Sequence, residues 1–128
     1  MEFFVYGTLT DRETTAAVLD SFKFHGPAVL DGLHRVDGAY PTLSPGGSVE
    51  GRILETDAVE ALDGYEGVDR GLYLRVEIPR DSGGTVQTYI GNPARLDVAD
   101  EWPGEGTFTE RVHSYLDIAA VLVRTEER

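Results

Sequence analysis

Phe3, Phe4, Val5 and Tyr6 form an apolar run with no polar break, and the run stops at Gly7-Thr8. Successive side chains of a strand point to opposite faces, so a strand with one wet face alternates apolar and polar residues. A run that is apolar at every position is a strand buried on both faces, which predicts a central place in a sheet. The glycine that ends it has two readings. It permits a turn with positive φ; or, lacking a Cβ, it lets a ligand approach the backbone so that successive N–H groups grip an anion or a carbonyl oxygen.

The elements that follow are short. Thr10-Asp11-Arg12-Glu13 matches a capping box, with Thr10 as the cap, and predicts a helix to about Phe22. Gly26 to Val36 reads as a strand bent near Gly32, Gly38 to Gly47 as a turn-rich stretch, and Val49 to Glu55 as a strand. Asp57-Ala58-Val59-Glu60 is a second capping pattern, opening a helix with Val59, Leu62 and Tyr65 along one face and Gly67 at its end. Leu72 to Ile78 alternates cleanly, with Leu72, Leu74, Val76 and Ile78 on one face and Tyr73, Arg75 and Glu77 on the other. Asp81-Ser82-Gly83-Gly84 predicts a hairpin turn, with Thr85 to Ile90 returning antiparallel. A loop from Asn92 to Gly106 leads to a C-terminal amphipathic helix marked by Val112, Tyr115, Leu116, Ala119 and Val123. These elements predict one domain over residues 1–128, of the α+β class.

Composition narrows the function classes. The chain carries 23 acidic and 11 basic residues, a formal net charge of −12, and Lys23 is its single lysine. Duplex affinity depends on basic groups displacing counterions, so nucleic acid is excluded as the expected partner, and an anionic membrane surface likewise. The acidic excess would repel itself in dilute buffer and predicts a protein suited to a salty, halophilic cytoplasm. With no cysteine, disulfide and thiolate chemistry are absent, and no signal-peptide pattern precedes Phe3, which makes the cytoplasm the expected location. His25, His34 and His113 are scattered, and no GxSxG, GxxxxGK or HExxH motif occurs, so neither metal nor cofactor is predicted. The expected state is a monomer or weak homodimer.

What remains for chemistry is Leu62-Asp63-Gly64-Tyr65-Glu66-Gly67. Asp63 and Glu66 are neighbours on one helix face. They read either as a solvated acidic face, or as a site in which a carboxylate beside leucine and tyrosine loses water, rises in pKa and suits general acid–base work.

An opening strand ending in VYGTL, a central VEGRI, LDGYEG and a following YLRVEI, in this order and at these separations, resemble the gamma-glutamylcyclotransferase-like family, which includes gamma-glutamylamine cyclotransferases and the plant avirulence-induced proteins. The resemblance spans about Phe3 to Ile90, with a looser match in the last helix. It implies a small, mixed, mostly antiparallel, β-barrel-like sheet flanked by short helices. It also implies a reaction: the α-amine of a small γ-glutamyl amine or amino acid attacks its own γ-carbonyl, giving 5-oxoproline and a free amine. By position in LDGYEG, Glu66 carries over as the general acid and base, with Tyr6, Gly7, Thr8 and Leu9 around the glutamyl moiety. Tyr73 shares a strand face with Arg75 and is placed at the pocket; Arg75 either joins it or pairs with Glu77 or another acid. Tyr115 resembles a tyrosine of some members that reaches the substrate, and fits a core position equally. An acidic rim from Asp97, Asp100, Glu101 and Glu105 is expected to disfavour anionic leaving groups. A non-catalytic small-molecule-binding or interaction protein of the same fold is the alternative.

Overall fold

β1 (Glu2–Val5) runs between β3 (Pro41–Glu55), its antiparallel neighbour, and β5 (Thr85–Gly91), its parallel neighbour. The computed structural model describes residues 1–125. Together with β2 (Lys23–Asp37), β4 (Tyr73–Pro79) and β6 (Leu122–Thr125), these strands form one six-stranded mixed sheet in the order β4-β5-β1-β3-β2-β6. The sheet curls into a half-barrel until its ends approach each other. Arg80, just past β4, bridges Val123 of β6, and the Asp81 amide donates to the Val123 carbonyl at 3.0 Å.

The apolar run of β1 is explained by the two layers it separates. Phe4 and Tyr6 belong to the core on one face, shared with Leu30, Ile53, Ile78 and Trp102 and covered by α3 (Phe108–Ile118). Phe3 and Val5 belong to the core on the other face, with Leu9, Leu54, Leu62 and Tyr89, covered by α1 (Arg12–Val18) and α2 (Val59–Glu66). Each fully buried large side chain of this kind contributes about 1.5–3 kcal/mol of transfer free energy. Leu74, Val76 and Ile78 face the α3 side as their alternation predicts, whereas Leu72, ahead of the strand, turns to the opposite core.

Several boundaries depart from the sequence expectation, each for a local reason. The cap of α1 is Asp11, whose carboxylate accepts from the Thr14 amide at 2.9 Å, because Thr8–Thr10 is taken up in a 3-10 turn and the Thr10 hydroxyl donates back to the Gly7 carbonyl. The helix stops at Val18, where buried Leu19 takes an extended conformation. α2 has no side-chain cap; the Ala58 amide donates instead to the Thr56 hydroxyl. The turn expected over Gly38 to Gly47 is confined to its first residues, and β3 starts at Pro41. The bend at Gly32 is real: φ is +100°, the β2–β3 register shifts between Asp31 and Leu33, and a Cβ there would lie 2.9 Å from Val121 Cγ2. Val123 lies not in α3 but in β6, paired with Leu30, because the apolar spacing of the last helix runs on by coincidence into an alternating strand. Among the described residues no helix is long and apolar enough to cross a membrane.

Candidate active site

The end of α2 is fixed by two devices. Gly67 caps it with a left-handed φ of +69°, returning its amide to Asp63 and Gly64. Leu62 is fully buried beneath the helix, and one residue on, Asp63 accepts from the Tyr89 hydroxyl at 2.6 Å and from Arg75 Nε at 3.0 Å. Arg75 also donates through Nη1 to Gln87 at 3.1 Å. The helix is thus tied to β4 and β5 by Asp63, and Glu66, three residues on, is presented to a cavity of about 340 Å³.

The opposite wall is the segment that leaves β1. Leu9 is 3% exposed and anchors the 3-10 turn in the core, while Thr8 stays at the surface with its hydroxyl 2.9 Å from that of Tyr65. The turn closes through Thr10 N–H to Gly7 and Asp11 N–H to Thr8. The amides of Gly7, Thr8 and Leu9 come before these bonds and find no backbone acceptor among the described residues. Gly7 has a φ of −124°, so the left-handed reading of this glycine does not hold. A Cβ on it would meet nothing closer than Pro41, at 3.7 Å, and Pro41 is itself cavity wall. The space a side chain would take at Gly7 is the cavity.

Of the five tyrosines in the lining, Tyr6, Tyr73 and Tyr89 are held by their hydroxyls, Tyr89 through Asp63. Tyr6 donates to the Tyr89 carbonyl and Tyr73 to the Pro41 carbonyl, each at 2.5 Å. Burial, followed by their negative neighbours, raises all three phenols, so they stay neutral donors at ordinary pH. Glu66 is only partly exposed and has no hydrogen bond or ion pair among the described residues; desolvation raises its pKa to about 7. Asp63 and Glu66, neighbours on one helix, thus have different surroundings. Asp63 faces a guanidinium and a phenol, and Glu66 faces a small, aromatic-walled space.

Of the residues singled out from the sequence, Glu66, Tyr6, Gly7, Thr8, Leu9 and Tyr73 all line this one cavity. Tyr115 does not. Its hydroxyl donates to the Gly32 carbonyl at 2.7 Å and accepts from the Gly46 amide at 3.1 Å, pinning α3 over the β2 bend, with its ring against Trp102. Arg75 is the partner of Asp63 rather than of Glu77. The acidic loop is also elsewhere: Asp100 and Glu101 border a different cavity, and Leu96 and Trp102 are buried. Tyr40, Tyr65, Arg70 and Tyr89 line the site without having been singled out for it. Tyr65 and Tyr89 carried the signal of being aromatic on motif or strand positions, whereas Tyr40 and Arg70 sit in turns where sequence gives none. His25, isolated in sequence, is brought by the β2–β3 register to within 2.7 Å of Glu55 and 4.0 Å of Glu2. Ligand atoms of these three lie within 4.8 Å of one another, but Arg80 donates to Glu2 at 2.6 Å, and the group borders another cavity.

The family model for "Gamma-glutamyl cyclotransferase, AIG2-like" matches residues 3–109. The chain belongs to this family. AIG2-like protein C from Arabidopsis thaliana is 36% identical over 115 residues, covering 81% of this chain and 67% of the relative. Among solved structures, a gamma-glutamyl cyclotransferase superposes with a TM-score of 0.60 at 22% identity, covering 72% of this chain and 66% of that one, a likeness of fold. A solution structure from Arabidopsis thaliana gives a TM-score of 0.55 at 30% identity, covering 88% and 82%. The chain thus spans about two-thirds of the length of the first two. Within the family match lie β1 to β5, the opening turn and the LDGYEG helix end; Tyr115 lies beyond it.

Proposed function

We propose that the protein is a cyclotransferase that converts a small γ-glutamyl amine or γ-glutamyl amino acid to 5-oxoproline and the free amine, with Glu66 as general acid and base. The observation that carries this reading is that Glu66, partly desolvated and without a partner among the described residues, lines one cavity with the turn Gly7–Leu9, whose amides find no backbone acceptor among those residues.

The chemistry follows from these groups. The substrate α-amine arrives protonated and cannot attack until it loses a proton, which the Glu66 carboxylate accepts. Its lone pair then forms a bond to the γ-carbonyl carbon, and the carbonyl oxygen takes negative charge within reach of the turn amides, which serve as its donors. As the intermediate collapses, the bond from that carbon to the leaving nitrogen breaks, and Glu66 returns its proton to that nitrogen. The ring nitrogen sheds its second proton to solvent, and the freed amine takes one up, so charge balances. A pKa of about 7 suits one carboxyl to both transfers. The tyrosine walls fold the glutamyl chain into a ring-closing shape, and such positioning is worth several kcal/mol.

The test is 5-oxoproline release from a panel of γ-glutamyl amines and amino acids, with Glu66→Gln as control. Wild-type turnover should fall about a hundredfold to ten-thousandfold in the variant. Its pH profile should rise through about 7, as the base form of Glu66 appears. No product from any panel member would sink the reading.

A further inference from the structure

We infer that the mouth of this cavity selects an anionic leaving group, an amino acid or short peptide with a free carboxylate, and that Arg70 is the residue that recognises it; this rests on the cyclotransferase reading above. Glu66 and Arg70 are the charged side chains of the cavity wall. Arg70 closes the 3-10 turn Val68–Arg70, held between two left-handed glycines, Gly67 at φ +69° and Gly71 at φ +71°. Its guanidinium folds back over Gly67, with Nη2 only 2.9 Å from where a Cβ at that residue would sit. The charge is therefore stationed beside the residue that follows Glu66.

Arg70 has no ion pair or hydrogen bond of its side chain among the described residues. In a chain with 23 acids and 11 bases this is unusual. Arg35, Arg75, Arg80 and Arg124 each pair with a carboxylate, Arg52 and Arg111 donate to carbonyls, and Arg12 lies over Phe22 and Phe24. Arg95 is the other described arginine without such a partner, and its Nη1 lies 3.6 Å from where a Cβ on Gly71 would be. The Arg70 guanidinium lies at Gly67 and that of Arg95 at Gly71, and of the two only Arg70 lines the cavity. The acids expected to rim the site lie elsewhere.

Every γ-glutamyl substrate carries an α-carboxylate, so Arg70 has two possible anions to meet. Its exposure decides between them. A pair at an exposed position is weak and suits the variable part of a substrate, which emerges at the mouth. The reacting part is served instead by the buried Tyr6, Tyr73 and Tyr89 of the lining and by Glu66.

The experiment compares γ-glutamyl-alanine with γ-glutamyl-ethylamide, which differ by the leaving-group carboxylate. Wild type should prefer γ-glutamyl-alanine in kcat/KM, and Arg70→Ala should lower the ratio of the two values about five- to tenfold, the worth of one charge-assisted contact. Arg70→Glu should invert it, Arg70→Lys should retain part of it, and about 1 M KCl should shrink it in wild type. An unchanged ratio, with both substrates falling together or neither, would overturn the inference while leaving the cyclotransferase reading intact. No product from either substrate with wild type would remove that reading, and this inference with it. Unaltered thermal midpoints of the variants exclude misfolding as the cause.

Discussion

Replacing Glu66 by glutamine should make the protein more stable, and more so as pH rises. Burial raises the Glu66 carboxyl from 4.5 to about 7. Below about pH 4.5 the folded and unfolded states both hold the proton, and the group contributes no pH dependence. Between there and about pH 7 the unfolded chain releases it while the folded chain keeps it, so the native state binds more protons and stability falls as pH rises. Above about 7 both states are ionised and the full cost is present. Each pKa unit is about 1.36 kcal/mol, so the cost approaches about 3 kcal/mol, an upper figure for a side chain that keeps some exposure. Glutamine has nearly the same shape and no charge to desolvate. The variant and wild type should therefore unfold at nearly the same denaturant concentration at about pH 4.5, and the variant should gain up to about 3 kcal/mol at about pH 8. In a domain of this size that is roughly 10 °C in Tm. Urea unfolding of both proteins at three pH values measures it, and the variant should be inactive where it is most stable. A stability gap that is the same at both ends of the pH range would refute the reasoning, because it would mean that Glu66 is not desolvated.

Tyr115→Phe should cost about 1–2 kcal/mol of stability, the worth of the hydroxyl that joins Gly32 to Gly46, and leave 5-oxoproline formation unchanged in kcat/KM, since the residue is not at the cavity. Gly67→Ala should lower stability by about 1–3 kcal/mol in thermal melts, because its φ is +69° and the new Cβ would lie 2.8 Å from Leu72 Cδ1 and 2.9 Å from Arg70 Nη2. Raising KCl from about 0.1 M to about 1 M should raise the thermal midpoint by more than about 5 °C, as screening relieves the repulsion of a −12 chain; a flat response would argue against a protein suited to high salt.

Much of the fold was legible because its signals are local. The apolar run Phe3–Val5 of β1, the alternation of β4, the Asp81–Gly84 turn, the bend at Gly32 and the cap at Gly67 all stand where their patterns put them. The misplaced features are those in which two local patterns compete. Thr10 and Asp11 both suit a cap, and the 3-10 turn decides for Asp11. Val123 fits a helical spacing and a strand alike, and pairing with β2 decides for the strand. Tyr115 fits a core stripe and a substrate contact, and only its seat over the β2 bend separates them.

The sequence by itself determined that β1 is a central strand, that a glycine follows it, and that a helix ends in a carboxylate and a left-handed glycine, because each depends on residues adjacent in the chain. Family membership was legible for the same reason, since it is carried by short motifs in fixed order. The tertiary structure alone decided what those carboxylates experience. Asp63 and Glu66 are equivalent in sequence, but Arg75 and Tyr89 arrive from strands 12 and 26 residues away to satisfy the first, and among the described residues nothing arrives for the second. A pKa is set by burial and by neighbours in space, and the packing of α2 and of the turn after β1 into the same core puts Glu66 and that turn on one cavity.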